Sequence, residues 1–530
     1  MAVYDTINKA WLSASKVVFG QEVGTLSDCA EWLREYEDKL RMEKSSFSGE
    51  IVTLSFDDYA PHARFAAFDE IDFGKKFAPL SINEIKDIDS IACAVKERAI
   101  YTGNIVLGHS SQVQDSNNVV DSHFVLESTA VLDSKYVAYS RHVQRGEYCF
   151  GLLGAVKDSY VVKSMGSELS RCFECHQVEL LSDCYYCAKV LSSRDCMFCF
   201  GVENGSHMIG NTKLEKGKYS QLKAKLVSEI AGEISKSHRI FSIYKLIEKC
   251  AAYPRDSRLN FRKIPEPPFD INPIEKAFTS ASSLLFGKDL SGIKNYSRFL
   301  GKHVPGNVPL PSVLSGTRVL NSSYRAHILK RYDLAGRMAN EDEVREIGRL
   351  SLDERQIEAI EMDIGKLCEC LHPIVYTNLD KVAGHSKNFK DSTIVIDSQD
   401  CLEGSAFMYS KRCAYSFWPL SSEAVFGCWG AHDSSYSMKL YYSKKMMRAL
   451  ECDSCESCAD VYFAHNCENV RDSMFCFNAK NLTYAIGNAA LPAEQYRGAK
   501  AALVQQLAIE LEEKKDLRWG IFNVGAGKKG

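Results

Sequence analysis

No stretch of this chain approaches the ~18 uninterrupted apolar residues of a membrane-spanning helix, so a hydropathic membrane protein is not expected. The first residues, MAVYDTINKAWLSASKVVFG, lack the basic and continuous apolar regions of a secretory signal, and the chain reads as soluble and cytoplasmic. Surplus charge is missing as well. Lys plus Arg (65) nearly balances Asp plus Glu (68), a formal charge of -3, so no global field draws the protein to nucleic acid or anionic lipid. No glycine is followed by Lys-Ser or Lys-Thr, which removes a phosphate-cradling loop. The aliphatic-Gly hexapeptide of left-handed β-helix acyltransferases is absent too. Proline is scarce, and five of the thirteen fall in YPRDSRLNFRKIPEPPFDINP from Tyr253. That segment suits a semi-rigid linker rather than a helix or central strand.

What is present is a unit written twice. INKAWLSASKVVFG from Ile7 matches IEKAFTSASSLLFG from Ile274, an offset of 267. Gly108-His109-Ser110 matches Gly384-His385-Ser386, FGLLGA from Phe150 matches FGCWGA from Phe426, and MFCF at Met197 matches MFCF at Met474. Ile209-Gly210-Asn211 matches Ile486-Gly487-Asn488, by which point the offset is 277. Repeats read before motifs set the architecture. The break between the copies is expected near residue 268.

Each copy opens on helical spacing, with Ile7, Ala10, Trp11, Ala14, Val17 and Val18 three and four apart. A second helical run is expected over CAEWLREYEDKL from Cys29, and others over 81–100 and 351–371. From residue 108 the period becomes about 12 residues: DSHFV at Asp121, DSKYV at Asp133, GEYC at Gly146, DSYVV at Asp158, RCFEC at Arg171, DCYYC at Asp183 and DCMFC at Asp195. Such a period predicts a β-solenoid whose coils stack small and apolar side chains inward. One column reads Ser122, Ser134, Gly146, Ser159, Cys172, Cys184, Cys196. The next reads Val125, Val137, Cys149, Val162, Cys175, Cys187, Cys199. After each solenoid an amphipathic helix, from Leu214 and from Leu491, is expected to cap the open end.

The expected class is therefore α+β, a tandem duplication of N-terminal helices, a solenoid of 12-residue repeats and a C-terminal capping helix. The boundaries are 1–107 (helical region), 108–212 (solenoid), 213–253 (capping helices), 254–273 (linker), 274–383 (helical region), 384–488 (solenoid) and 489–530 (capping helix and tail). The Asp-Ser/Cys-x-aromatic-Cys units closing on MFCFGVENGSHMIGNTKLEKGKYSQLKAKL resemble cysteine- and aromatic-rich repeat proteins of environmental microbial and phage genomes. The likeness covers about 108–230 and 384–505. It implies a fold and no activity.

Twenty cysteines are the chemical signal. In a cytoplasm they are thiols or metal ligands rather than a disulfide framework. CFECH at Cys172–His176 fits the haem-attachment spacing, yet the second copy has Ala449, Cys452 and Asp453 there. Zinc candidates are Cys172, Cys175, Cys184, Cys187, Cys196 and Cys199, with Cys452, Cys455, Cys458 and Cys467 in the second copy, because Cys-x-x-C pairs supply thiolates at tetrahedral spacing. Against zinc, only two of the first six remain cysteine at the matching positions. Buried small hydrophobes are the plainer reading, so no cofactor is expected. His109 and His385, with Ser110 and Asp115, offer catalytic residue types, but a turn at the first coil explains them as well. The glycines of Phe-Gly-x-x-Gly-Ala are expected at a corner or bulge. A basic cluster runs from Lys213 through Lys225 to Lys236, Arg239, Arg255, Arg258, Arg262 and Lys263. It reads as a solvated face, with nucleic acid or an acidic protein as the alternative.

The expected function is a non-enzymatic scaffold with protein partners or self-assembly, in the cytoplasm or in a virus or phage particle. The alternatives are a zinc-binding protein, or an enzyme or nucleic-acid-binding protein of no identified class.

Overall fold

The structure is a computed structural model describing residues 3–36, 40–81, 83–256, 259–322 and 326–524. It is a mixed α+β protein built around a 13-stranded and a 12-stranded sheet. The first stack covers 106–213 and the second 382–490.

Within each stack neighbouring strands are parallel and mostly twelve residues apart, up to the two-residue closing strands Thr212–Lys213 and Ala489–Ala490, which pair antiparallel. Val125 pairs with Val137, Val137 with Cys149, and Cys149 with Val161. The second stack repeats the step, Cys401 pairing with Cys413 and Cys452 with Ala464. Every third residue is left-handed. Asp115, Asn118, Asp121, Phe124, Glu127 and Ala130 have φ between 43° and 57°. The residue after each points inward, so Ser116, Val119, Ser122, Val125, Ser128 and Val131 are all buried. Left-handed backbone costs about 1–2 kcal/mol at a non-glycine residue, and a hydrogen-bond ladder offsets it. Ser128 Oγ donates to the Leu126 carbonyl at 2.8 Å and accepts the Ser140 N–H at 3.1 Å.

The opening pair of each stack steps by thirteen, Val106 to Val119 and Val382 to Val395, and one step inside the first stack is short. Val161 pairs with Cys172, eleven residues on. The two columns read from the sequence are therefore misassigned past this point. Cys172, Cys184 and Cys196 continue the column of Val125, Val137, Cys149 and Val161, not that of Ser122 and Ser134. Cys175, Cys187 and Cys199 continue Ser128, Ser140 and Ser164, since the Cys175 N–H donates to Ser164 Oγ at 3.0 Å. Ser159 and Val162 belong to neither column, because Cys149 meets Val161. A single deleted residue shifts a three-residue motif by one inward position without disturbing its composition.

Helix Val3–Phe19 lays Ile7, Ala10, Trp11, Ala14 and Val18 on the first stack, with Trp11 edge-on to Phe150 at 5.3 Å. Helix Asn272–Phe286 does the same on the second, Phe278 meeting Phe426 at 5.5 Å. Gly151 and Gly427, the first glycines of the Phe-Gly-x-x-Gly-Ala motifs, are left-handed. A Cβ there would lie 2.7 Å from the Leu33 carbonyl oxygen and 2.6 Å from that of Leu300. The motif thus marks the closest approach of the stack to the segment that follows the opening helix.

Both runs of parallel strands end on Asn. Asn211 accepts the Phe200 N–H and donates to the Phe200 carbonyl, both at 2.9 Å, before the chain turns back as the short antiparallel strand Thr212–Lys213. Asn488 accepts the Phe477 N–H at 2.8 Å in the same way. Helices Lys216–Ser237 and Ala493–Lys514 then follow, burying Tyr219, Leu222 and Leu226, and Tyr496, Leu503 and Leu507.

The segments between opening helix and stack depart from expectation. Residues 41–105 contain strands Arg41–Lys44, Ile51–Leu54, Arg64–Ala67 and Ile100–Gly103, and the helix expected over 81–100 is confined to Ile88–Ala94. The run from Cys29 is helical over Ala30–Tyr36, and 37–39 lie outside the described residues. The helix expected over 351–371 is two, Glu354–Met362 and Leu367–Leu371, and strands Val308–Pro311 and Arg318–Asn321 precede them. Four-residue strands are too short to impose a legible period. The linker residues described from 254 to 271 form neither helix nor strand; Arg258 is not among them.

These segments change partners. Val52, Leu54, Phe56, Tyr59 and Tyr101 of the first half join the core of the second stack. Val319, Tyr332, Val344, Ile357 and Leu371 of the second half join the core of the first. Each half thus sends one arm to cover the other half's stack.

Candidate functional site

The cysteines lie inside the stacks. Cys172, Cys175, Cys184, Cys187, Cys196 and Cys199 are fully buried, as are Cys452, Cys455, Cys458 and Cys467 to within 2%. Their thiols do what serine does elsewhere in the ladder. Cys175 Sγ donates to the carbonyls of Phe173 (3.5 Å) and Cys184 (3.3 Å), and Cys187 Sγ to those of Tyr185 (3.5 Å) and Cys196 (3.6 Å). In the second stack Cys455 reaches Asp453 and Ala464, Cys458 reaches Glu456 and Cys467, and Cys467 reaches His465 and Cys476. Burial pushes Cys175, Cys187 and Cys455 well above the ordinary thiol range. These are neutral thiols surrounded by carbonyl oxygens, which favour a donor and disfavour a thiolate. Among the described residues, no group of three or more His, Cys, Asp or Glu side chains is arranged to hold a metal ion.

The Gly-His-Ser turns open each ladder. The His109 and His385 N–H groups donate to Asp121 and Asp397 at 2.9 Å. Ser110 Oγ donates to the Leu107 carbonyl at 2.7 Å, and Asp115 accepts from Gln114 at 3.0 Å. The candidate catalytic types are committed to the turn rather than to one another. Of the basic cluster, Lys223 pairs with Asp195 at 3.0 Å and Lys225 with Glu229 at 3.7 Å. Lys500, the counterpart of Lys223, pairs with Asp472 at 3.5 Å.

His176, the last residue of CFECH, points away from the thiols into a sealed polar cluster. Its Nε2 lies 3.1 Å from the Lys163 carbonyl and its Nδ1 3.2 Å from Tyr244 Oη. The Lys163 ammonium, fully buried, donates to the Trp32 carbonyl (2.8 Å) and the Glu35 carboxylate (3.0 Å), with Glu174 at 3.8 Å. Tyr36 and Tyr332 donate to Glu174 and Glu35, both at 2.6 Å, and the Ile243 N–H donates to Glu174 at 3.0 Å. Burial raises Glu35, but Lys163 and Tyr332 outweigh it and hold the carboxyl below its usual range. Burial lowers Lys163, and Glu174 and Glu35 oppose it. One cluster therefore joins four segments: the turn after the opening helix, the stack, the capping helices and the other half's arm.

The second half has a counterpart. Lys439 and Glu451 pair at 2.7 Å, and the Ile521 N–H donates to Glu451 at 2.9 Å. His465 Nδ1 lies 2.9 Å from Asp453, its Nε2 accepts the Thr102 N–H at 2.8 Å, and Tyr59 donates to Asp453 at 3.0 Å. Thr102 and Tyr59 belong to the first half's arm, so both clusters fasten an exchanged arm. Sequence reading missed them. The available signals were the matches of Lys163 to Lys439, at the offset of 276 that aligns Phe150 with Phe426, and of Glu174 to Glu451 at 277, and a charge in a repeat reads as exposed until its partner is known.

Where the stacks face each other lies a groove of about 490 Å³. Leu107, Val120 and Leu132 line one side, and His432, Lys444 and Glu456 the other. Trp418 stands between His142 and His432, at 4.6 and 4.8 Å from their rings. No helix among the described residues is long and apolar enough to cross a membrane. Comparison with known protein families, curated proteins and solved structures gives no significant match.

Proposed function

We propose that the protein is a non-enzymatic structural and interaction scaffold: two tandem β-solenoids held in one fixed relation, acting through protein partners or self-assembly. The observation that carries this reading is the reciprocal exchange of arms. Each arm reaches a buried ionic cluster of the other half, Tyr332 donating to Glu35 and Tyr59 to Asp453. Each of these tyrosines hydrogen-bonds a buried carboxylate of the other half, a bond to a charged group worth about 1.5–3 kcal/mol, so relative motion of the stacks is disfavoured. A rigid pair of stacks suits a component of a large assembly, and a virus or phage particle is the setting we propose. The cysteines serve such a role as ladder donors and fillers.

The test is native mass spectrometry of gently purified protein, with electron microscopy of the same sample. The reading requires a defined oligomer or co-purification with a larger particle. A lone monomer carrying stoichiometric zinc overturns it in favour of a metal-binding protein.

A further inference from the structure

Cys250 and Cys368 lie outside the stacks, where an exchanged arm meets the other half. Cys250 closes helix Ile243–Cys250 of the first half, and Cys368 lies in helix Leu367–Leu371 of the second half's arm. Cys250 is sealed from solvent and Cys368 is partly exposed. The Cys250 thiol donates to the Cys368 carbonyl oxygen at 3.9 Å, which places the two cysteines side by side across the contact between the halves. The backbone around them is held by the buried Arg337. Its guanidinium donates to the carbonyls of Cys250, Tyr253 (2.8 Å) and His372 (2.9 Å), and the Tyr253 and His372 rings stack at 5.3 Å.

We propose that Cys250 and Cys368 form a peroxide-responsive dithiol whose oxidation to a disulfide fastens the second half's arm to the first half. The roles follow from the surroundings. Cys368 is the reachable sulfur, and the neighbouring Cys250 thiol, with Lys249 nearby, holds it below the ordinary thiol range. Cys250 is the buried partner, pushed far up by the neighbouring Cys368 and by burial. A thiolate that is accessible and next to a resolving thiol is the arrangement that oxidises selectively.

The Cys368 thiolate attacks one oxygen of hydrogen peroxide. The O–O bond breaks, hydroxide leaves and takes up a proton as water, and Cys368 becomes a sulfenic acid. The Cys250 sulfur then attacks the Cys368 sulfur as its proton passes to the departing hydroxyl. The S–O bond breaks and a second water leaves. Two thiols have lost two hydrogens and one peroxide has become two waters. A dithiol reductant reverses the step.

The full-length protein is treated with hydrogen peroxide near neutral pH, alkylated, digested without reductant and mapped by mass spectrometry. The expected product is a peptide pair joined through Cys250 and Cys368, about 2 Da lighter than the two thiol peptides, and separated by dithiothreitol. The oxidised protein unfolds at a higher temperature than the reduced one. Cys250→Ser lets Cys368 accumulate as a sulfenic acid trapped by dimedone, and Cys368→Ser leaves Cys250 unreacted. Oxidation that falls on the exposed Cys93 while Cys250 and Cys368 remain alkylatable overturns the proposal. So does dimedone labelling of Cys368 in Cys250→Ser no greater than that of Cys93. Should a variant fail to fold, the wild-type peptide map decides alone.

Discussion

The Lys439 ammonium meets the Glu451 carboxylate at 2.7 Å with 2% and 0% of the two side chains exposed. Neither group has water to fall back on, so each is held by the other and by what surrounds the pair. Replacing Lys439 with Met leaves Glu451 unpaired beside the Ile521 N–H and should destabilise the protein by about 3–5 kcal/mol. Adding Glu451→Gln to that variant removes the stranded charge and should recover part of the loss. Urea denaturation of the two variants checks this. A single variant as stable as the parent would show that the pair does not hold the second stack's cover.

The column assignment inside the first stack makes a sharper prediction. Cys175 stands in a serine column, so Cys175→Ser lets its hydroxyl accept the Cys187 N–H, as Ser128 accepts that of Ser140 at 3.1 Å. Stability should stay within about 1 kcal/mol of the parent. Cys175→Val removes donor and acceptor together and should cost about 1–3 kcal/mol. At Cys184, which continues a valine column, the preference should invert. Thermal denaturation of the four variants distinguishes this register from one in which the two columns are interchanged.

Acid should loosen the contact between the stacks. Burial lowers His432 to about 4 and takes His142 well below its ordinary value. Asp433 opposes the shift at His432, Lys444 adds to it, and Arg141 adds to that at His142. A histidine depressed in the folded state binds fewer protons there than in the unfolded chain. The stability it contributes is therefore complete above the unfolded value of about 6.5 and is lost as pH falls from there towards 4. For His432 alone the loss reaches about 3 kcal/mol at most. Denaturation midpoints at pH 7.5, 6 and 5 should fall in step, and less steeply in His432→Gln. An unchanged slope in that variant would place the acid sensitivity elsewhere.

Arm exchange predicts that the halves need each other. A chain ending within the linker should expose the surface covered by Tyr332, Val344 and Ile357. Fragments 1–262 and 263–530 made separately should be insoluble or molten, and co-expressed they should purify as a one-to-one complex. Two fragments each folding alone, with sharp unfolding transitions, would contradict the exchange.

Much of the chain's organisation was readable without coordinates. Period twelve, the small inward residues and the amphipathic spacing of Ile7, Ala10, Trp11 and Ala14 are local properties, and the α+β class follows from them. Reading the thiol ladders as filler rests on size, since a slot that takes Ser122 or Val125 accepts cysteine. The eleven-residue step at Cys172 was not, because it leaves every motif intact and only moves the motif against its neighbour. Nor was the left-handed residue at every third position, since Phe124, Glu127 and Ala130 carry no glycine signal.

By itself, then, the sequence determined the repeating parts: the twelve-residue period, the small and apolar character of the inward residues, and the amphipathic opening and closing helices. The tertiary structure alone decided which half covers which, and with it the meaning of Lys163, Glu174, Lys439 and Glu451. The reason is physical. Burial of an apolar stripe is specified by spacing along one element, whereas the state of a charge depends on the particular partner brought to it from another part of the chain.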